Sequence, residues 1–400
     1  MATNSAEPSH ARWDMDQILS SLRAVPDVLK TQEHADHLSD AIRLLQDPPS
    51  RAHMKKIAPV ATKELLRVAE ATSASPKGRK FADEVLFALK LLSWIGGKPG
   101  ARCISRLAQR GYAADEFMWS TVTSAFGEGH PSAPDFFKAV GRKLPGKFLN
   151  VCILDAANSA AREHGLKKHP FDTPAGVKVL AGYLSSKKEE DASYAVSSAA
   201  SLPFIAKARR GRLVERARKH QSAEVRLEAA WATAKVGDKA GLAYLVEQST
   251  VPASAARAAA YLTELGRKKL IPKSAREPDF VAMAEMAEWL AHPAEYGEAP
   301  TSITLMDKRK IYWPPTRDTR ELRLFAFTYD RKPGVRPGRE TGVGMVGSIT
   351  WAFFDETRPT MKPEDIYGIH CCWELQANED PRAPKKVHGK TGWKLITDRA

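Results

Sequence analysis

Ala223-Glu224-Val225-Arg226-Leu227-Glu228-Ala229-Ala230, then Val236-Gly237-Asp238, then Leu242 and Leu245, spell a helix, a stop and a second helix. Small alanines let one helix approach its neighbour closely. A glycine just past the last helical residue can take the left-handed conformation that closes the helix. The aspartate after it supplies a side-chain oxygen to cap the next one. The unit recurs. Leu213-Val214-Glu215-Arg216 returns 32 residues later as Leu245-Val246-Glu247-Gln248, and Val236-Gly237 returns 29 residues later as Leu265-Gly266. An alanine-rich segment precedes each glycine: Glu224–Lys235 with Ala229-Ala230, and Ser254–Glu264 with Ala258-Ala259. A unit that returns at this interval is the mark of stacked helical repeats.

Outward from this stretch, residues 13 to 291 read as helix after helix. Leu38, Ile42 and Leu45 recur at spacings of four and three, which is one buried helical face. Ile57, Val60, Ala61, Leu65 and Val68 repeat the pattern, as do Phe81, Val85, Leu86, Leu89 and Leu92. Further helices are expected over Ala114–Ala125, Ala133–Arg142, Phe148–His164 and Ala175–Ser185. Short breaks such as Asp47-Pro48-Pro49, the Gly96–Gly100 run and Gly127-Glu128-Gly129 separate them. Short connections favour antiparallel neighbours.

The residues between about 190 and 270 resemble HEAT repeats, in particular the short HEAT-like type of phycobilisome lyases. That type carries a small residue, Val-Arg, paired alanines, Gly-Asp and a second leucine-rich helix. Ala223 to Leu245 match it; the neighbouring unit departs, with Ala255 in place of the arginine and Arg267 in place of the aspartate. The resemblance implies an α-solenoid of antiparallel helix pairs and a style of interaction. It does not imply lyase activity, because such repeats serve many unrelated tasks.

The pattern changes near His292-Pro293 and Ala299-Pro300. Ser302–Met306, Lys310–Trp313, Leu322–Tyr329, Ser348–Phe354, Asp365–Leu375 and Trp393–Thr397 are rich in Ile, Thr, Tyr, Phe and Trp and read as strands. Leu322–Tyr329 carries apolar residues on both sides and is expected to be covered on both faces. Arg331–Thr341 reads as a basic Gly/Pro loop. The expected organisation is therefore mainly α: a disordered N-terminus over 1–12, a HEAT-like solenoid over 13–295, and a small β-rich α+β domain over 300–400.

Composition narrows the class. Of 400 residues, 43% are hydrophobic and 27% charged, which argues against global disorder. Met1 to Arg12 lack the basic and apolar stretches of a signal peptide, and no apolar run reaches the length of a membrane span. Four cysteines, Cys103, Cys152, Cys371 and Cys372, are too few for a disulfide scaffold. Together these features predict a cytoplasmic protein with no membrane contact. The net charge is +14, of which residues 301–400 carry +5 and the rest +9. Such an excess favours acidic partners.

Four constellations stand out. Gly342-Val343-Gly344-Met345-Val346-Gly347 has dinucleotide-motif spacing, but a strand-like segment follows it, so it reads as a glycine-rich turn that binds no dinucleotide. His370-Cys371-Cys372 reads as core strand, with His370 and Cys372 on one face and no partner pair at zinc-site spacing. The tryptophans Trp94, Trp119, Trp231 and Trp289 in helical context, and Trp313, Trp351, Trp373 and Trp393 further on, read mostly as core.

The fourth is the densest basic cluster: Lys207, Arg209, Arg210, Arg212, Arg216, Arg218 and Lys219. Arg209, Arg212, Arg216 and Lys219 recur at spacings of three, four and three. They form one stripe, with Leu213, Val214 and Ala217 turned to the core. Lys207, Arg209, Arg210, Arg212, Arg216 and Lys219 are the candidate anion contacts, and Lys167-Lys168-His169 and Arg267-Lys268-Lys269 fall at comparable positions between helices. No catalytic, metal or cofactor residue is assigned. The expected function is a non-enzymatic scaffold that binds a protein partner along the solenoid. Nucleic-acid binding, at class level like that of HEAT-like alkylpurine DNA glycosylases, and an enzyme site in the C-terminal domain stay open.

Overall fold

The computed structural model describes residues 14–46, 51–188, 191–292, 294–330, 338–354 and 356–398. The expectations for residues 1–12, for Asp47-Pro48-Pro49 and for most of the 331–341 loop lie outside these. The described residues form seventeen α-helices and one four-stranded antiparallel sheet. None of these helices is long and apolar enough to cross a membrane. The chain divides into two compact units, Met1–Ala232 and Thr233–Ala400. The first strand starts at Ser302, where the pattern changes, but the unit that holds the sheet begins some seventy residues earlier: the helix Pro278–Ala291 shares the core of the sheet, and the helices before it pack on one another in turn.

The N-terminal unit is helical: α1 (Met15–Ala24), α2 (Gln32–Gln46), α3 (Arg51–Ala74), α4 (Ala82–Ile95), α5 (Gly97–Gln109), α6 (Met118–Gly127), α7 (Ala133–Val140), α8 (Lys147–Glu163), α9 (Pro174–Tyr183), α10 (Ala192–Ala200), α11 (Lys207–Arg218) and most of α12 (Ala223–Lys235). Within it α4 packs on α6, α6 on α8 and α8 on α10, while α5 packs on α7 and α9 on α11. The apolar positions read from spacing are the ones that pack. Val85, Leu86, Leu89 and Leu92 of α4 are buried, as are Trp119, Val122 and Phe126 of α6 and Leu149, Ile153 and Ala157 of α8. Trp119 and Trp231 are core residues, but Trp94, expected in the core, is 53% exposed.

Three helices end in one and the same way. After α5, Gly111 N–H donates to Ala108 O and Tyr112 N–H to Leu107 O. After α12, Gly237 bonds Ala234 O and Asp238 bonds Thr233 O; after α14 (Pro252–Glu264), Gly266 bonds Thr263 O and Arg267 bonds Leu262 O. Each glycine has positive φ, at 66°, 91° and 68°. This paired closure consumes carbonyls that the helix leaves without partners. Asp238 then caps α13 (Lys239–Gln248), its side chain accepting from Ala240 N–H at 2.9 Å.

In the C-terminal unit α13, α14 and α15 (Pro278–Ala291) lead into β1 (Ser302–Trp313), β2 (Asp318–Asp330), β3 (Arg339–Val346) and β4 (Trp351–Phe353), in the order β1-β2-β3-β4. β1 is one strand rather than two runs, with a register shift between Leu305 and Asp307. β2 is covered on both sides. Leu322 and Leu324 pack with Ile366, Tyr367, Cys371 and Leu375, whereas Phe325, Phe327 and Tyr329 pack with Ala282, Met286 and Leu290 of α15.

Two expected strands are helices. Asp365–Leu375 lies in α16 (Pro363–Ala377), and Trp393–Thr397 in α17 (Gly389–Thr397). Their aromatic and β-branched residues suggested sheet. Pro363 at the first turn followed by Glu364 and Asp365 starts a helix instead, and the helix is buried nearly all round, from Ile366 without a break to Cys372 and again at Glu374 and Leu375. His370 and Cys372 therefore share no strand face. The Ser348–Phe354 run contributes only the short β4.

The glycine motif is also corrected: it is not a turn but mostly strand, with Gly342 and Gly344 inside β3. A Cβ on Gly344 would lie 2.4 Å from the terminal methyl of Met286, so the end of that α15 side chain would have to shift to admit one. Charged clamps tie the layers together. Arg323 bonds Asp279 Oδ1 at 2.8 Å and pairs with Glu321; Arg309 reaches Asp307 at 2.8 Å and Glu364 at 2.6 Å.

Candidate functional site

Helix α11 forms where the sequence places it, because Leu213 and Ala217 are buried on one side and no competing cap interrupts it. Arg209, Arg212, Arg216 and Lys219 lie on its exposed side, and Arg210 is half-buried. The stripe is not uniformly available. Arg209 donates to Asp172 Oδ1 at 2.8 Å, and Lys219 pairs with Glu215 at 3.0 Å, which holds the Glu215 carboxyl below its usual range. Arg216 reaches only neutral acceptors, Ala181 O at 3.1 Å and Ser185 Oγ at 2.8 Å. Lys207, Arg210 and Arg212 make no ion pair among the described residues. Among the described residues four charges of the six thus lack a counter-charge: Lys207, Arg210, Arg212 and Arg216.

Asp172 links this helix to a second feature. Besides Arg209, it accepts Ala206 N–H at 3.2 Å and so caps the start of α11. The loop that carries it, His169 to Thr173, forms one wall of a cavity of about 1010 Å³ bounded by the α6–α7 and α8–α9 connections. Phe126, Phe137, Ala160 and Pro170 give it an apolar floor, and Lys138, Arg142, Lys167 and Lys168 stand exposed around it. No Asp or Glu lines the cavity among the described residues. Lys167-Lys168-His169 lies in the same unit as α11, on the connection whose Asp172 meets Arg209. Arg267-Lys268-Lys269 belongs to the C-terminal unit.

The histidines of the inter-helix connections share a device that sequence reasoning missed. Nδ1 of His130, His169, His220 and His292 accepts the backbone N–H two residues on, at 3.1, 3.4, 3.1 and 3.2 Å. An accepting Nδ1 places the proton of the neutral ring on Nε2. The recurrence of His followed by Pro at 130, 169 and 292 was the available signal. Burial lowers the pKa of His130, His169 and His220, that of His169 to about 3. His169 is 2% exposed and its Nε2 has no partner among the described residues.

Other candidates are structural in their surroundings. All four cysteines are free and buried, and burial raises each thiol, Cys103 and Cys152 to about 12. No group of three His, Cys, Asp or Glu side chains that could hold a metal occurs among the described residues. Glu374, 2% exposed, accepts Trp313 Nε1–H at 2.8 Å and Ser348 Oγ–H at 2.7 Å. Compared with protein-family models and with curated proteins, the chain matches none.

Proposed function

We propose that this chain is a non-enzymatic interaction scaffold built on a HEAT-like solenoid, and that its partner is a protein with an acidic surface. The observation that carries the reading is the two-row packing of the N-terminal unit: α4, α6, α8 and α10 follow one another, while α5 pairs with α7 and α9 with α11. Packing between every second helix is what stacked helix pairs produce, and such stacks present one long surface to a partner. The repeated glycine closures support the same reading. The acidic character of the partner rests on Lys207, Arg210, Arg212 and Arg216, whose charges no carboxylate neutralises among the described residues. Such charge steers and orients partners more than it adds affinity.

The same four charges favour a second reading, nucleic-acid binding. One experiment separates the two. Polyglutamate, single-stranded DNA and duplex DNA are titrated at low and moderate salt against the full chain and the double variant Arg210→Glu/Arg212→Glu. Polyglutamate is expected to bind most tightly, weakening by at least about tenfold in the variant. Tighter binding of duplex DNA, with a log–log salt slope of about 0.9 per phosphate contact, replaces the protein-partner reading with the nucleic-acid one. Absence of salt-dependent binding to any of the three polymers refutes both.

A further inference from the structure

Helix α4 leaves one line of side chains uncovered. Asp83, Phe87, Lys90 and Trp94 follow at spacings of four, three and four, so they share one side of the helix. Phe87 is 41% exposed and Trp94 53%, while Val85, Leu86, Leu89 and Leu92 are buried on the other sides. Asp83 is exposed and Lys90 half-buried, and neither enters an ion pair among the described residues. Single exposed apolar residues need no explanation, but two large rings on one helical line do. Aromatic residues are concentrated in protein interfaces, and tryptophan is prominent among those that carry binding energy.

The second observation is the order of charge along the line. Asp83 stands at its start and Lys90 seven residues on, too far apart to pair within the helix, where neighbours are three or four apart. A contact between two copies about a two-fold axis runs the helix in opposite directions on the two sides, and residue i meets j as j meets i. With the axis midway between Asp83 and Lys90, the Asp83 carboxylate of each copy meets the Lys90 ammonium of the other, and the two Phe87 rings meet at the axis. The same symmetry brings Trp94 to position 79 of the other copy, in the 3-10 turn Pro76–Phe81 that precedes α4. Arg79 and Lys80 are exposed there, and a cation over an indole face is favourable. Side by side in parallel, each charge would instead face its like.

We propose that α4 is a self-association surface, on which a second copy of this chain docks antiparallel through Phe87 and Trp94. Two rings and two charge pairs make a small contact, so the dimer is weak, with a Kd of roughly 10–100 µM. The net charge of +14 opposes association at low salt, so the contact is best read near physiological ionic strength, where charges are screened beyond about 8 Å. The inference goes beyond the acidic-partner proposal and does not need it: its residues differ from those of α11, and polyglutamate binding can fail while the dimer forms.

Sedimentation equilibrium of the full chain from about 5 to 500 µM, at about 0.15 M salt, reads the monomer–dimer balance. The wild-type chain is expected to dimerise, and Phe87→Ala and Trp94→Ala should each weaken the dimer at least about fivefold. Both changes are at exposed positions and leave the core alone. Asp83→Lys and Lys90→Asp should each weaken it as well. An equimolar mixture of these two single variants should restore association as a heterodimer, because both cross-pairs then join opposite charges again. Mixing cannot repair a chain that has failed to fold, so the restoration separates a lost contact from a lost helix. A chain that stays monomeric throughout the range overturns the proposal, the line then answering to a different protein. So does a dimer that Phe87→Ala and Trp94→Ala both leave unchanged, or a mixture of the charge variants that associates no better than either alone.

Discussion

Trp313→Phe and Glu374→Gln look like comparably small changes, yet the C-terminal unit should respond to them very differently. Glu374 is buried on α16 and is held by two neutral donors, the Trp313 indole at 2.8 Å and the Ser348 hydroxyl at 2.7 Å. Replacing Trp313 by Phe removes one donor from a buried carboxylate. A hydrogen bond to a charged group contributes about 1.5–3 kcal/mol, and the lost ring volume at a fully buried position adds to it, so the cost should be about 2–4 kcal/mol. Glutamine at 374 keeps an oxygen for the indole. Its new amide can donate to Ser348, because a hydroxyl rotates to accept. That variant should cost less than about 1 kcal/mol. For a unit of this size the first change lowers Tm by roughly 5–15 °C and the second by a few degrees at most. Amide exchange at β1, β2 and α16 under mild denaturant reports this unit separately from the helical one. If Glu374→Gln destabilises as much as Trp313→Phe, the pairing of one carboxylate with two neutral donors is the wrong account of this core.

Other expectations follow from single features. Gly237→Ala meets no atom within 4 Å but must hold φ near 91°, so it should destabilise by about 1–2 kcal/mol, whereas Gly211→Ala inside α11 should stabilise by about 0.5–1 kcal/mol; thermal melts of the pair test backbone against packing. Native protein should not react with an aromatic disulfide reagent at pH 8, and all four thiols should appear on unfolding, since each is buried with a raised pKa. The N-terminal unit should lose stability in acid: His169 stays neutral when folded, with its pKa near 3, but takes a proton below 6.5 when unfolded. Stability is then flat above pH 6.5 and falls below it by up to about 1.4 kcal/mol per pH unit for this residue, and His169→Asn should flatten that limb.

Helical content was legible because amphipathic spacing and glycine stops are local. Leu38, Leu89 and Leu245 are buried as their spacing requires, and Asp238 caps the helix it precedes. The last hundred residues were less legible for a physical reason. α16 is buried nearly all round, so its composition is that of a core rather than of an amphipathic surface, and α17 is only nine residues long, so Tyr367, Cys371 and Ile396 read as strand. The α11 charges were visible as a run, but their neutralisation was not, since Asp172 lies 37 residues from Arg209. The cavity is bounded by two separate connections, α6–α7 and α8–α9, and no short window of sequence contains it. Only Lys167-Lys168-His169 pointed there.

The edges of the sheet carry a last consequence. An open strand is a template on which another chain can grow, and natural sheets blunt such edges with charge, bulges or brevity. Here β4, at one end, is three residues long. β1, at the other, runs for twelve residues but is broken by the register shift between Leu305 and Asp307 and then carries Lys308, Arg309 and Lys310 in succession. These charges make the edge a poor seed for aggregation. Neutralising Lys310, which is exposed and outside the Arg323 clamp, should therefore show first in light scattering of concentrated samples, before any change in melting temperature.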